Sequence, residues 1–102
     1  NEYSYSNAEI FSHAYKNLDL GTLVGNPTFG AVISTGGHSL LDGSYVRMPF
    51  RAWYVKETGK NMEWEPAVPD IVLKNSPDGK AQGVDEQLTK AVETLLEEMG
   101  QE

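Results

Sequence analysis

The sequence predicts a small α/β or α+β unit in the order helix, several strands, helix. Three observations predict it. Apolar residues recur at spacings of three and four from about Asn7 to Leu20. Short β-branched and aromatic runs, broken by Gly, Pro, Asn and Asp, fill the middle of the chain. A second and clearer helical pattern runs from Asp85 to Met99. At 102 residues the chain is about one small domain, with little surplus area to bury.

The first helix presents Ile10, Phe11, Ala14, Tyr15 and Leu18 as one expected buried face, and Gly21 fits its stop. Only "NEYS" precedes it where a strand is expected, which reads as a cut inside a larger fold. "TLVG" is a short strand closed by "GNP", and "FGAVIST" is a second strand followed by Gly36 and Gly37. "HSLLDGSYVRMPFRAWYV" reads as a hairpin whose Asp42-Gly43 pair forms a two-residue turn with positive φ at both positions. Pro49 cannot donate to a ladder, so its strand is an edge or carries a bulge. "KETGKN" is a turn, "VPDIVL" a short strand and "NSPDGKAQGV" a loop. In the last helix Leu88, Ala91, Val92, Leu95, Leu96 and Met99 form the apolar stripe. Asp85 and Glu86 stand at its positive end, and Gly100 ends it.

Composition removes several function classes. The net charge is -7, and Asp85, Glu86, Glu93, Glu97, Glu98 and Glu102 face only Lys90 in the C-terminal segment. Nucleic-acid binding needs a positive footprint that is missing. The acidic run reads as a solvated helix face. Without cysteine, thiol catalysis, disulfides and thiolate metal sites are excluded. No apolar run approaches the roughly 18 residues of a membrane helix. No cofactor is expected, and His13 and His38, the only histidines, lack the acidic pattern of a metal site.

Two stretches invite chemistry. "GNPTFGAV" spaces Gly25 and Gly30 like a phosphate loop, but Ala31 and Val32 stand where Lys and Ser/Thr are required. "NEYSYSNAEIF" places Ser6 three residues before Glu9 and ahead of the helix, the pattern of a capping box. From these residues alone Ser6 is a cap. A nucleophile at a strand-to-helix turn is compatible with that role, and the Asn7 amide points the right way for an oxyanion. His13 lies about 10 Å along the helix from Ser6, too far to be its base, and reads as a surface or packing residue. His38 stays open as a base by geometry.

"NEYSYSNAEIFSHAYKNLDLGTLVGNPTFGAVIST", with Ser4, Ser6, Glu9, Gly25, Pro27, Thr28 and Gly30 in the pattern S-x-S-x-x-E and G-x-P-T-x-G, resembles the catalytic segment of the C-terminal processing peptidase family. Within that family it is most similar to the tricorn-core branch. "LLDGSYVRMPFRAWYV", "GKNMEWEPAVPDIVL" and "DEQLTKAVETLL" match the family's usual ending, so the resemblance covers nearly the whole chain. It implies that residues 1–102 are the C-terminal part of a serine peptidase catalytic domain of the crotonase-like, Clp-protease-like α/β class, incomplete in this chain.

The resemblance puts Ser6 at the nucleophile position, Asn7 at an oxyanion amide and Glu63 at the acid that orients a histidine, with Glu65 as the alternative acid. Ala31 stands where the processing peptidases carry their lysine base, so a Ser-His arrangement is expected, its His and second Ser lying upstream of this chain. Asn7 stands where the archaeal tricorn cores carry Asp. Gly30, Ala31, Val32 and Ile33 are the expected substrate lining, where an extended peptide or unfolded protein would add a strand. Exposed edges and apolar faces imply a homo-oligomer. The chain alone is expected to be inactive. The alternative function is a catalytically silent fragment serving as an interaction or assembly module. Lack of cysteine and the family's habit hint at a bacterial extracytoplasmic setting.

Overall fold

The structure is a computed structural model and describes residues 1–100. Glu102, counted above among the C-terminal acids, lies outside the described residues. The chain runs α1 (Asn7–Asn17), β1 (Val24–Gly25), β2 (Ser34–Ser39), β3 (Tyr45–Arg51), β4 (Ile71–Val72), α2 (Pro77–Ala81) and α3 (Glu86–Glu98). This is the mixed helix and strand order expected. "NEYS" forms no strand; the Ser4 N–H turns back to the Asn1 carbonyl at 2.9 Å.

α1 stops at Asn17, three residues short of the expected Leu20. The stop is Asp19, not Gly21. Asp19 takes a φ of 52°. The Leu20 N–H then reaches the Tyr15 carbonyl at 3.1 Å, and the Asp19 N–H reaches Lys16 at 3.1 Å. That is a Schellman closure with an Asp in the place usually held by Gly. The expected apolar face of α1 is not buried. Phe11 and Leu18 are exposed, and the one buried residue of α1 is Glu9.

β1 and β4 pair in parallel, Val24 with Ile71 and Gly25 with Val72. Asp70 closes this short pair, its carboxylate accepting the Leu23 N–H at 3.0 Å and pairing with Lys16 at 3.0 Å. The strand expected from Phe29 starts only at Ser34, because every amide from Thr28 to Ile33 is committed elsewhere, as described below. β2 instead continues through Gly36 and Gly37 to Ser39 and pairs antiparallel with β3. Tyr45 lies over Gly37, where a side chain would clash with its ring, and Phe50 lies within ordinary contact distance of Gly36.

The tip corrects the two-residue turn. Leu40 bonds Ser44 at 2.8 Å, Gly43 bonds Leu40 at 3.0 Å, and only Gly43 has positive φ. This is a three-residue loop ending in a left-handed Gly. Pro49 sits beside a register shift between Ser34 and Thr35, so its strand is both an edge and bulged. The "KETGKN" turn is framed by a Tyr54–Asn61 bridge.

The expected loop from Asn75 to Val84 contains α2. Ser76 caps it, accepting the Gly79 N–H at 3.0 Å, with Pro77 at the first helical position. α3 starts at the Asp85 cap, whose carboxylate accepts the Leu88 N–H at 3.0 Å. α3 does not bury its apolar stripe. Leu88, Val92, Leu95, Leu96 and Met99 are exposed, while Thr94 is buried. Gln87, on the inward face with Thr94, ties α3 to the β1–β4 region by donating to the Leu73 carbonyl at 2.7 Å.

The buried apolar residues are Val32, Met62 and Ala67. They lie on the 28–33 and 62–69 segments, so the core sits directly beneath the candidate site. Away from it the molecule is drawn out to 64 × 38 × 17 Å.

Candidate active site

The stretch from Thr28 to Ile33 organises the site, and its amides can be accounted for one by one. The Thr28 N–H donates to the Ala67 carbonyl at 3.1 Å and the Phe29 N–H to the Ser4 carbonyl at 2.9 Å. The Gly30 N–H is shared by both Glu9 oxygens at 2.9 and 3.0 Å, and the Ala31 N–H reaches Glu9 Oε2 at 2.7 Å. The Val32 and Ile33 N–H groups both reach Glu63 Oε2, at 2.7 and 2.8 Å. Two carboxylates therefore stand where a neighbouring strand would. Ladder pairing is impossible here, although the residues suit a strand. Gly30 and Val32 are buried, and Ile33 is 37% exposed. The expected substrate lining thus has no free amide donor of its own.

The carbonyls of the same stretch hold the rest. Gly30 accepts the Trp64 N–H at 2.8 Å and Ala31 accepts the Ser6 N–H at 2.7 Å. Trp64 has a φ of 64° and Ser6 a φ of 56°, so consecutive carbonyls clamp two non-glycine residues in positive-φ backbone. Each such residue stores about 1–3 kcal/mol, sustained only because its surroundings fix it.

Ser6 is not the cap of a capping box. Its ψ is -123° and its side chain makes no cap hydrogen bond. With the Ala8 N–H bonded to the Tyr5 carbonyl at 3.2 Å, residues 5–8 form a turn with Ser6 in the position that normally demands Gly. Glu9, expected to reach back to Ser6, turns inward instead. It is fully buried and also accepts the Thr28 hydroxyl at 2.7 Å. The Ser6 hydroxyl is therefore exposed at a sharp entry into a helix. Asn7 follows in the first helical turn, and its N–H donates to no group among the described residues. An exposed hydroxyl with the next amide free beside a helix N-terminus is the arrangement a nucleophile and its oxyanion donor require.

Glu63 is positioned by its own N–H, which donates to Asn61 Oδ1 at 3.0 Å. One carboxylate oxygen holds the Val32 and Ile33 amides; the other receives no hydrogen bond from the described residues. Ser6, Asn7, Gly30–Ile33 and Glu63 are thus brought onto one short stretch, with Ser6 tied to Ala31 and Glu63 to the next residue. Glu65 stands apart from them, its carbonyl meeting His13 Nε2 at 3.0 Å. That contact engages the His13 ring with the Glu65 backbone. His38 lies in β2 and pairs with Val46 of β3. It sits about 13 Å along the strand beyond Ser34, at about 3.3 Å per residue.

What sequence reasoning missed is the role of Glu9, which it took for the capping-box acid and which instead holds the Gly30 and Ala31 amides. Its signal was present, since a capping-box Glu and a buried amide acceptor both stand three residues into a helix. A cavity of about 570 Å³ lined by residues that include Tyr3, Lys74, Pro77 and Val84 lies apart from the site. Among the described residues no cluster of three or more His, Asp or Glu could hold a metal, and no helix is long and apolar enough to cross a membrane.

The chain resembles a consistent set of known proteins. The model of peptidase family S41 matches residues 1–73. Over 100 residues the chain is 36% identical to the tricorn protease of Thermoplasma volcanium, covering 97% of this chain and 10% of that protein. It is 34% identical to the tricorn protease of Thermoplasma acidophilum, covering 97% of this chain and 9% of that one. Against a putative tricorn-like protease C-terminal subunit of Sulfurisphaera tokodaii the identity is 35%, over 97% of this chain and 12% of that protein. A crystal structure of the tricorn protease superposes with a TM-score of 0.87 at 33% identity, covering 96% of this chain and 10% of that one. The chain spans about a tenth of the length of these relatives.

Proposed function

Because the chain belongs to peptidase family S41, we propose that the protein carrying it is a tricorn-like serine peptidase, an endopeptidase or C-terminal processing enzyme, and that residues 1–102 are the C-terminal part of its crotonase-like, Clp-protease-like catalytic domain. The observation that carries this reading is Ser6 itself. Its hydroxyl is exposed and unused as a cap, on a strained turn that leads directly into a helix. A cap has no need of that strain.

In this reading the Ser6 Oγ attacks the carbonyl carbon of a peptide bond while a histidine from outside the chain takes its proton. The Asn7 N–H stabilises the oxyanion that forms. The histidine then gives the proton to the departing amine, which leaves an acyl-enzyme on Ser6. Water, deprotonated by the same histidine, releases the acid product. Glu63 orients the histidine through its free oxygen. Its other oxygen fixes Val32 and Ile33, so the acid and the substrate lining move as one body. The substrate is an extended peptide. Because the amides of Gly30–Ile33 are occupied, its strand pairing falls on β2 from Ser34 onward, and Gly30–Ile33 contribute shape and carbonyls. Neither a cofactor nor a metal enters these steps.

A fluorophosphonate probe on the full-length protein tests this. Wild type is expected to label at Ser6, and Ser6→Ala to abolish labelling. Labelling that survives Ser6→Ala ends the reading of Ser6 as the nucleophile, whereas a wild-type protein that does not label at all favours the silent assembly module.

A further inference from the structure

We propose that Glu9 is a positioning residue for the nucleophile: it holds Gly30 and Ala31 so that the Ala31 carbonyl locks Ser6 in its strained backbone. The proposal rests on the reading of Ser6 as the nucleophile. Glu9 is completely buried, and no Lys, Arg or His pairs with it among the described residues. A buried carboxylate without a cation is costly unless hydrogen bonds satisfy it. Here three donors do so, the Gly30 and Ala31 amides and the Thr28 hydroxyl.

The three donors share a purpose. The Gly30–Ala31 pair carries the two carbonyls that clamp Trp64 and Ser6, so the carboxylate grips the amide side of the same two residues whose carbonyl side restrains the site. Gly30 takes a φ of 85°, which turns its N–H toward Glu9 and breaks the strand. Thr28 extends the chain of restraint, since its hydroxyl donates to Glu9 while accepting the Ala67 N–H at 2.7 Å. Glu9 in turn belongs to the first turn of α1, and its own N–H bonds the Ser6 carbonyl at 3.1 Å. The loop is closed: Ser6 to Glu9 through the helix, Glu9 to Ala31 through the carboxylate, and Ala31 back to Ser6 through the carbonyl. An amide at residue 9 presents an NH₂ to donors that need an acceptor, which opens that loop without emptying the space.

The test is Glu9→Gln in the full-length protein, read by the rate constant and the final stoichiometry of fluorophosphonate labelling at Ser6, together with peptide kinetics. If Glu9 positions Ser6, every site still labels, but the rate constant and kcat fall roughly 10- to 100-fold with KM little changed. If Glu9 only supports folding, fewer sites label and those that do react at the wild-type rate; that result overturns the proposal. Thr28→Val, which removes one donor to Glu9, is expected to slow labelling in the same sense, while Thr28→Ser keeps the wild-type rate. This pair decides the question if Glu9→Gln does not fold. Labelling of wild type at a residue other than Ser6 removes the nucleophile reading and this proposal with it. Labelling of wild type at Ser6 with an unchanged Glu9→Gln rate removes this proposal alone.

Discussion

At the scale of single residues, the site is built from backbone conformations that its side chains disfavour. Ser6 and Trp64 sit at positive φ where turns normally take Gly. Trp64 is also 85% exposed, so packing of the indole within the described residues does not offset the strain. For Ser6 the strain separates two readings by stability alone. A capping Ser replaced by Ala loses about 0.5–2 kcal/mol, and replaced by Gly only a few tenths. A strained Ser with no cap bond loses little on going to Ala. On going to Gly it gains about 1 kcal/mol, the relief of strain less the extra entropy of an unfolded Gly. The expected order of unfolding temperatures is therefore Ser6→Gly above wild type, with Ser6→Ala near wild type. A Ser6→Gly protein that melts below wild type contradicts the strained turn.

At the scale of elements, polar groups do the fastening that apolar faces were expected to do. Asp70 closes the β1–β4 pair, and the Leu23 N–H, then Lys16, hold its carboxyl below the ordinary value of 3.8. A carboxylate with a depressed folded-state pKa stabilises the fold above its unfolded pKa and loses that contribution as pH falls through the folded value. The unfolding midpoint is thus expected to drop as pH falls below about 4, and Asp70→Asn to flatten part of that drop. Acid titrations of the two proteins that superpose after scaling remove Asp70 from the account. Asp70 is largely exposed, so the difference is small.

The same substitution of polar for apolar contacts marks what could be read in the sequence. α1, α3 and the hairpin around Asp42-Gly43 were legible, because periodicity and turn residues are local; Ser6, Asn7 and Glu63 were singled out by the family resemblance, and their roles stand as proposals. Three things were not. The strand from Phe29 is cancelled by Glu9 and Glu63, which approach from 21 and 31 residues away along the chain. The stop at Asp19 puts an Asp where the pattern pointed to Gly21. The short α2 hides in a segment whose Ser, Pro, Asp and Gly signal a loop, yet Ser76 and Pro77 also start a helix.

At the scale of the whole molecule, the described chain leaves its apolar surface uncovered. Its radius of gyration is 17.7 Å, against about 13 Å for a compact domain of 100 residues. The β2–β3 hairpin packs mainly on itself, and Leu41, Tyr45, Met48 and Phe50 are exposed along it, as are Leu88, Leu95 and Met99 along α3. Faces of this kind mark interaction surfaces. The relatives this chain matches are about ten times its length.

The proposed reading of the chain as part of a longer tricorn-like protein has a consequence for α3. In the 102-residue chain Leu95→Ala changes stability by less than about 0.5 kcal/mol, as at any exposed position. In the full-length protein the same change costs about 2–5 kcal/mol, as for a buried leucine. The isolated chain, with its faces open, is further expected to associate with itself, giving a light-scattering mass that rises with concentration, and Leu95→Glu in α3 should lower that mass. A chain that stays monomeric at high concentration, combined with a Leu95→Ala cost equally small in both contexts, means that α3 carries its apolar face to solvent and that no further segment rests on it.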